Sequence, residues 1–352
     1  MQRANLVLGP KAADSVKTFD IAGLQGYTVK ATVETINTLA ESDEIAYIEP
    51  DQIFTVASPA PKPVRERQVI RAVQANAPWG LARISHRAKG ATDYVYNPTA
   101  DTYIYVMDTG VKISHTKFEG RAIYGFNAVG GTNDDENGHG THVAGTASSQ
   151  TYGVVRFSQV ISVKVLGGDG SGTTSGLISG INWAVQDIQS KSRIGKATAL
   201  LALGGAYSAA LNNAVKAASD AGLFFATAAG SSNTDNSGSS PGSEPSACTV
   251  GGTDINDARL SSSNYGPGID IWAPGGQILS LWITSNTAVA TISGTSSAAA
   301  HIAGLGVYFL ALEGPRGAVA LCERLREVAT KNALTGIPTG TSNLLAYNLS
   351  GL

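Results

Sequence analysis

The fold is decided by the stretch Tyr103-Ile104-Tyr105-Val106-Met107-Asp108-Thr109-Gly110. Its first five residues are apolar or aromatic without alternation, which is typical of a strand buried on both faces of a parallel sheet. The run ends in an aspartate and a glycine-containing turn, and α/β proteins place their chemistry at the carboxyl ends of such strands. The stretch therefore predicts an α/β domain with a candidate functional carboxylate at Asp108.

Apolar runs of the same kind recur further along the chain, at 160–166, 198–203 and 223–229. They alternate with segments of helical periodicity at 176–189, 211–221 and 297–312. Alternation of this kind favours a mostly parallel sheet covered by helices on both faces. The predicted fold class is therefore a three-layer αβα domain.

Composition excludes several classes of function. The chain has 352 residues, of which 43% are hydrophobic and only 15% charged, so it can bury a large core. A net charge of −2 gives no field that would attract nucleic acid or an anionic membrane. No uninterrupted apolar run reaches the roughly 18 residues of a membrane span. We therefore expect neither nucleic acid nor a membrane as a partner.

A proline-rich segment at 57–71 divides the chain and is predicted to be an extended linker. Ahead of it, residues 1–56 hold strand-like runs at 26–32 and 44–56 around a helical stretch at 33–42. This predicts a small α+β domain that leans on the large domain at 72–352. The first ten residues do not form a leader, so the chain is either not exported or begins downstream of its own leader.

Two further segments carry candidate chemistry. Asn137-Gly138-His139-Gly140-Thr141-His142 brings a histidine to the start of a small-residue helix, and Ser293-Gly294-Thr295-Ser296 brings a serine to the start of an apolar helix. Taken singly, Asp108 reads as a turn residue, His139 as a hydrogen-bonded core histidine and Ser296 as a helix cap. Taken together, they supply an orienting carboxylate, a base and a nucleophile, in the chain order of the subtilisin triad.

Longer stretches carry a family resemblance. They read NAPWGLARIS at 76–85, FEGRA at 118–122, SEPS at 243–246 and NLLAYN at 343–348. With these motifs the body resembles the subtilase family, in its proteinase K-like fungal branch, over roughly 280 residues. Residues 1–56, with IAYIEPD at 45–51, resemble the family's inhibitory propeptide without its first strand. The resemblance implies a secreted serine endopeptidase that is matured by cleavage near Arg71–Ala72.

The resemblance also implies the roles of individual residues. Asp108 would orient the base, His139 would be the general base and acid, and Ser296 would be the nucleophile and a donor to the oxyanion. Peptide substrates would lie between two edge segments, and an apolar pocket wall would give a broad preference for apolar and aromatic residues. The edge segments are Gly170, Ser171 and Gly172 on one side and Leu203 and Gly204 on the other, and the wall is Ala228, Ala229 and Gly230.

Three positions depart from the family pattern around an intact triad. Ser231 stands where the oxyanion-hole asparagine is expected, Ala202 replaces a serine, and Ser297 replaces a large apolar residue. A serine side chain is too short to place a donor where an amide would reach, so the hypothesis is a slowed peptidase. The alternatives are a catalytically weak or inactive subtilase-fold binding or regulatory paralogue, and acyl transfer to an amine.

The family also implies structural elements outside the triad. Asp270 with the carbonyls of Pro245 and Ala247 matches a calcium site, for which the alternative is a loop-capping carboxylate. Cys248 and Cys322 match a disulfide, for which the alternative is two buried thiols. We expect no cofactor for catalysis, one structural Ca²⁺, protein or peptide substrates, the propeptide as an intramolecular inhibitor, and a monomer.

Overall fold

The computed structural model describes residues 16–56, 62–63, 73–97 and 101–351. The large domain is built on a nine-stranded sheet in the order β17-β18-β14-β13-β11-β9-β5-β7-β6, in which all neighbours are parallel except β17 and β18. Its strands are β5 (Tyr103–Asp108), β6 (Ala122–Asn127), β7 (Gln159–Lys164), β9 (Ala197–Leu201), β11 (Phe224–Ala228), β13 (Cys248–Thr253), β14 (Ile271–Pro274), β17 (Thr330–Lys331) and β18 (Leu344–Leu345).

Helices cover both faces of this sheet. One face carries α3 (His139–Ala147) and α6 (Thr295–Glu313), with α7 (Ala318–Val328) beside α6; the other carries α4 (Thr174–Ser190) and α5 (Ala209–Asp220). Strand β5 shows why the run is uniformly apolar: Ile104 and Val106 enter the first core, and Tyr105 and Met107 the second. The three-layer αβα prediction is confirmed.

The helix α6 is the longest helix among the described residues and is buried along most of its length. Its residues from Thr295 to Leu310 are all buried, because it packs against several strands of the sheet as well as against α3. At 19 residues it is long and apolar enough, by length and composition, to cross a membrane, and 89% of its most apolar window is buried inside the protein. Its burial accounts for the apolar composition on all sides.

Three smaller sheets and two short helices complete the part of the fold that the structure describes. The hairpin β1 (Lys17–Ile21) and β2 (Leu24–Thr28) precedes α1 (Val33–Ala40), and Ile21 packs into the core beneath α4 and α5. A second sheet has the order β12-β10-β3-β8 and a third has the order β15-β16-β4. Their strands are β3 (Ile53–Val56), β4 (Lys62–Pro63), β8 (Ser171–Thr173), β10 (Leu203–Ala206), β12 (Ser239–Ser240), β15 (Ile278–Leu281) and β16 (Val289–Ile292). The second short helix is α2 (Trp79–Ser85).

The N-terminal unit differs from its sequence prediction in two ways. The strand β1 was missed, and the strand expected over 44–56 is restricted to Ile53–Val56. Within the segment expected to be a solvated linker, Lys62–Pro63 pairs with β16 at a sheet edge, where a proline costs no ladder hydrogen bond. The maturation site expected near Arg71–Ala72 lies outside the described residues.

Candidate functional site

The candidate acid and base meet where β5 ends and α3 begins. Asp108, the last residue of β5, is fully buried, and its Oδ1 accepts hydrogen bonds from the backbone N–H of Thr109 and from His139 Nδ1, both at 2.8 Å. His139 is the first residue of α3 and is also buried. A buried carboxylate on Nδ1 fixes the imidazole tautomer that leaves Nε2 free to accept a proton.

The candidate nucleophile lies at the start of α6. Ser296 is the second residue of this helix and is fully buried. Its hydroxyl donates to the carbonyl of Ala202 at 2.7 Å, and His139 Nε2 has no hydrogen-bond partner among the described residues. Of the two hydrogen bonds expected in a triad, the one between Asp108 and His139 is present. The Ser296 hydroxyl instead donates to a backbone carbonyl. A buried hydroxyl takes such an acceptor when one is in reach.

The loop after β11 brings the predicted oxyanion and pocket residues next to α6. Ala228 ends β11, Ala229 donates its N–H to Val250, and Gly230 has a φ of +97° and donates its N–H to the Thr295 hydroxyl at 3.2 Å. The hydroxyl of Ser231 lies 3.3 Å from that of Thr295, the residue before Ser296. Ser231 is therefore directly beside the N-terminus of α6.

Asn233, two residues after Ser231, does not replace the amide donor that the family has at position 231. Asn233 is exposed, and its Oδ1 accepts a hydrogen bond from Arg259 Nη1 at 2.9 Å. Its backbone N–H donates to the Ser262 carbonyl, with a φ of +55°. These bonds hold the side-chain oxygen and the backbone of Asn233 against Arg259 and Ser262.

The two predicted edge segments face each other across an inserted strand. Strand β3 of the N-terminal unit pairs antiparallel with β8 and with β10, and thereby lies between them. The register pairs Phe54 with Gly172, Thr55 with both Ser171 and Gly204, and Val56 with Leu203. Gly170 forms the turn before β8, with a φ of +79°. An extended peptide thus adds a strand to this cleft by main-chain pairing.

Phe54 shows what the cleft accepts at one position. Its ring is fully buried, and its Cδ1 lies 2.8 Å from the point where Gly205 would carry a Cβ. The absence of a side chain at Gly205 makes room for the aromatic ring. At the other end of the strand, Val56 faces Leu203, the residue after Ala202, whose carbonyl holds the Ser296 hydroxyl.

Two carboxylates anchor the N-terminal unit on the helices α4 and α5, and sequence reasoning gave neither a role. Asp51 accepts from the N–H and the hydroxyl of Ser175, at 2.9 and 2.7 Å, in the first turn of α4. Glu49 accepts from the Ala210 N–H at 3.1 Å and from the Ser208 hydroxyl, at the start of α5. Both acids satisfy free N–H groups at the positive end of a helix dipole.

The predicted calcium ligand Asp270 already has polar partners. Its Oδ2 accepts the N–H of Thr249 at 2.9 Å, and its Oδ1 lies 3.5 Å from Arg326 Nη1. Burial raises the pKa of the Asp270 carboxyl above its ordinary value, although Thr249 and Arg326 both act to lower it. A carboxylate is a hard oxygen donor of the kind that Ca²⁺ takes, but an ion bound by Asp270 would have to share the carboxylate with the Arg326 guanidinium.

The two cysteines form a disulfide. Cys248, at the start of β13, is bonded to Cys322 in α7, 74 residues later. Asp270 lies beside this bridge, with a carboxylate oxygen within 4.8 Å of both sulfurs. Because both sulfurs are used in the bridge, they are not available as metal ligands.

Three histidines besides His139 are buried, and two of them, His142 and His301, belong to the helices α3 and α6. His142 Nε2 is hydrogen-bonded to the Ile278 carbonyl at 2.9 Å, and His301 Nδ1 to the Ser297 carbonyl at 2.8 Å. Burial lowers the pKa of His142 to about 3 and that of His301 to about 4, so both are neutral at pH 7. Ser297 is buried too, and its hydroxyl has no partner among the described residues.

Comparison with known proteins identifies the family. Residues 99–339 match the model of the Subtilase family, and residues 2–57 match that of Peptidase inhibitor I9. The cuticle-degrading protease of Metarhizium anisopliae is 46% identical over 92% of this chain and 80% of its own length. Alkaline protease 1 of Aspergillus clavatus is 44% identical over 99% of this chain and 83% of its own.

The structure of a cold adapted subtilisin-like serine proteinase matches with a TM-score of 0.74 and 40% identity, covering 78% of this chain and 99% of that one. The chain therefore belongs to the subtilase family of serine endopeptidases. It is a proteinase K-like subtilase that carries an inhibitor-type propeptide, and its substrates are proteins.

Proposed function

We propose that this endopeptidase cleaves with Ser296 as nucleophile, His139 as general base and acid, and Asp108 as the group that orients His139. The observation that carries the proposal is the β3 strand, which lies in the cleft like a bound peptide and ends beside the residue that holds the Ser296 hydroxyl. The buried Asp108–His139 hydrogen bond supports the assignment of the base.

The first chemical event in this scheme is release of the nucleophile. The Ala202 carbonyl holds the Ser296 hydroxyl in the resting arrangement. We propose that the backbone N–H of a bound substrate takes over this carbonyl, and that the hydroxyl turns to His139 Nε2, which has no other partner among the described residues. Ser296 then attacks the scissile carbonyl while His139 accepts its proton, and His139 returns that proton to the leaving amine.

We propose that turnover is slowed by Ser231. The negative oxygen of the tetrahedral intermediate would receive the N–H of Ser296 at the start of α6, where the helix dipole also favours it. Ser231 reaches the Thr295 hydroxyl, but its side chain is too short to supply the second donor of the family. The same observation favours the second candidate, an inactive paralogue that binds peptides without hydrolysing them.

The cleft supports a broad preference for apolar and aromatic side chains. Ala228 and Ala229 are buried, and together with Gly230 they offer an apolar pocket wall without charge. The buried ring of Phe54 beside Gly205 supports an aromatic preference at a second position of the bound strand. We expect substrates with apolar residues at both positions to be cleaved fastest.

Self-processing is expected close to β3. Sequence reasoning favoured a single cut near Arg71–Ala72, whereas the register of β3 supports a single cut soon after Val56, which pairs with Leu203, the residue after the one that holds the Ser296 hydroxyl. N-terminal sequencing of the matured protein decides between the two. A new terminus at Ala72 would contradict the register argument.

Three further properties are proposals. A single Ca²⁺ held by Asp270 and the carbonyls of Pro245 and Ala247 would stabilise the loop before β13, with a structural role and none in catalysis. The Cys248–Cys322 disulfide supports secretion, because such bridges persist in oxidising compartments. We expect the matured enzyme to act as a monomer.

The test is labelling by a fluorophosphonate probe, which reacts with activated serines. The matured wild type should be labelled, and Ser296→Ala should be neither labelled nor self-processed. Labelling that survives in Ser296→Ala would refute the choice of nucleophile. A folded, matured wild type that is not labelled would favour the inactive paralogue.

A further inference from the structure

The loop ahead of α3 contains a second buried carboxylate, which the triad chemistry does not use. Asp135 is 6% exposed. Its Oδ1 accepts from the Thr109 hydroxyl at 2.8 Å and from the N–H groups of Asn137 and Gly138 at 3.0 and 2.8 Å. Its Oδ2 accepts from the N–H and the hydroxyl of Thr141, at 2.9 and 2.6 Å. Five donors hold this carboxylate in one orientation.

These donors belong to the two segments that carry the candidate acid and base. Thr109 directly follows Asp108 and donates its own N–H to that carboxylate. The Thr109 hydroxyl, while it donates to Asp135, accepts the N–H of Gly140 at 2.9 Å, next to His139. A continuous chain of hydrogen bonds therefore links the end of β5 to the first turn of α3 through Asp135.

A buried lysine joins the same two segments from the sheet. Lys164, which is 1% exposed, stands opposite Asp108 in the register of β5 and β7. Its ammonium group donates to the carbonyls of Thr109 at 2.7 Å and Asp134 at 3.1 Å. The carboxylate of Glu136 lies 3.7 Å from the same ammonium group, so the buried charge has an ionic partner on the loop that carries Asp135.

The two segments also touch along their backbones. A Cβ on Gly140 would lie 2.1 Å from the carbonyl oxygen of Gly110, and a Cβ on Gly110 would lie 3.1 Å from the Cα of Asp135. Gly110 has a φ of +110°, which other residues rarely adopt. Because there is no free space between the segments, a shift in one is passed to the other and so to the Asp108–His139 hydrogen bond.

We infer that Asp135 is a positioning residue, which acts through Thr109 and the first turn of α3 to set the distance and orientation between Asp108 and His139. This inference rests on the proposed roles of that acid and base. In Asp135→Asn an amide group replaces one carboxylate oxygen and faces at least one backbone N–H donor, so at least one of the five hydrogen bonds is lost. Near-attack geometry then suffers, whereas none of the five hydrogen bonds is made by a residue of β8 or β10, the strands that pair with the bound peptide.

The experiment compares four variants, each produced as the full chain and assayed after its propeptide has been removed. Asp135→Asn and Thr109→Val break the bridge, Thr109→Ser keeps its hydroxyl, and Asp187→Asn removes a buried carboxylate that bonds Tyr105 and Arg193 in the other core. We expect kcat on a peptide substrate to fall at least about tenfold in the first two, with KM within about twofold. Thr109→Ser should restore kcat, and Asp187→Asn should lower Tm without changing kcat.

A proton NMR readout separates positioning from general destabilisation. The proton between His139 Nδ1 and Asp108 Oδ1 should give a resolved downfield resonance in the folded protein. We expect this resonance to shift or broaden in Asp135→Asn and Thr109→Val and to stay in place in Thr109→Ser and Asp187→Asn. A merely structural loss of stability would lower Tm and leave the resonance of the folded population where it is.

Each possible result either supports or contradicts the positioning role of Asp135. A folded Asp135→Asn with kcat within twofold of wild type and an unmoved resonance overturns the inference. If Asp135→Asn does not fold, Thr109→Val is judged by the same two criteria. A wild type without any probe labelling refutes the proposed function instead, and the NMR comparison then still tests the positioning role by itself.

Discussion

Replacing Ser231 by asparagine should raise the turnover number of this enzyme. The Ser231 hydroxyl lies 3.3 Å from the Thr295 hydroxyl, next to the N-terminus of α6, so the residue stands at the rim of the expected oxyanion site. An asparagine amide at this position carries its N–H donors further from the backbone than a hydroxyl does. The side-chain oxygen of Asn233, two residues further along, is held by Arg259.

The expected gain follows from the value of one oxyanion donor. Loss of such a donor costs about 10²–10³ in kcat, or roughly 3–4 kcal/mol, a magnitude measured in a subtilisin and therefore in this same family. Ordering the longer side chain costs about 1 kcal/mol. The remaining gain of about 2 kcal/mol corresponds to a rise in kcat of roughly thirtyfold. KM should change little, because the donor acts on charge that develops only in the transition state.

The assay is steady-state hydrolysis of a peptide substrate by matured wild type and Ser231→Asn. Ser231→Leu is the matched control, since leucine has a similar shape without a donor, and its kcat should not rise. Active-site titration with the fluorophosphonate probe normalises each preparation for correctly folded enzyme.

A kcat that stays within twofold of wild type in folded, titrated Ser231→Asn would refute the reasoning. Another group would then already donate to the oxyanion, or a step other than chemistry would limit turnover. An equal rise in Ser231→Leu would show that packing of the loop, and not the amide donor, controls the rate.

Other properties give further tests. The unfolded chain binds protons at His142 and His301 near pH 6.5, whereas the folded chain binds them only near pH 3–4. The free energy of unfolding should therefore fall as pH drops below about 6.5, by about 2 kcal/mol per histidine at pH 5. Urea unfolding across pH 5–8 measures this, and a flat profile would contradict it. Calcium should raise Tm more in Arg326→Gln than in wild type, because the variant removes the guanidinium that competes for the Asp270 carboxylate. Calorimetry with calcium or with a chelator measures the two shifts in Tm, and equal shifts would argue against a calcium site at Asp270. Replacing Cys248 and Cys322 together by serine should cost about 4 kcal/mol of unfolding free energy for a 74-residue separation, and a loss below 1 kcal/mol would show that the bridge adds little.

Much of the layered fold was predictable because the signals are local. The uniformly apolar runs, such as the one that ends at Asp108, predicted the central strands to within a few residues, and helix periodicity predicted α4, α5 and α6. The N-terminal unit was predicted less well. Its strand β3 forms only because β8 and β10 offer edges on both sides, and a run of four residues carries no sign of its partners.

By itself, the sequence determined the family and indicated the order of the candidate acid, base and nucleophile and the serine at the expected oxyanion position, because each stands in a short contiguous motif. Only the tertiary structure decided which atoms meet: the Ser296 hydroxyl on the Ala202 carbonyl, and Asp135 on Thr109. These contacts join residues 94 and 26 positions apart. Hydrogen bonding depends on distance in space, and the packing of α3 and α6 on one sheet sets that distance.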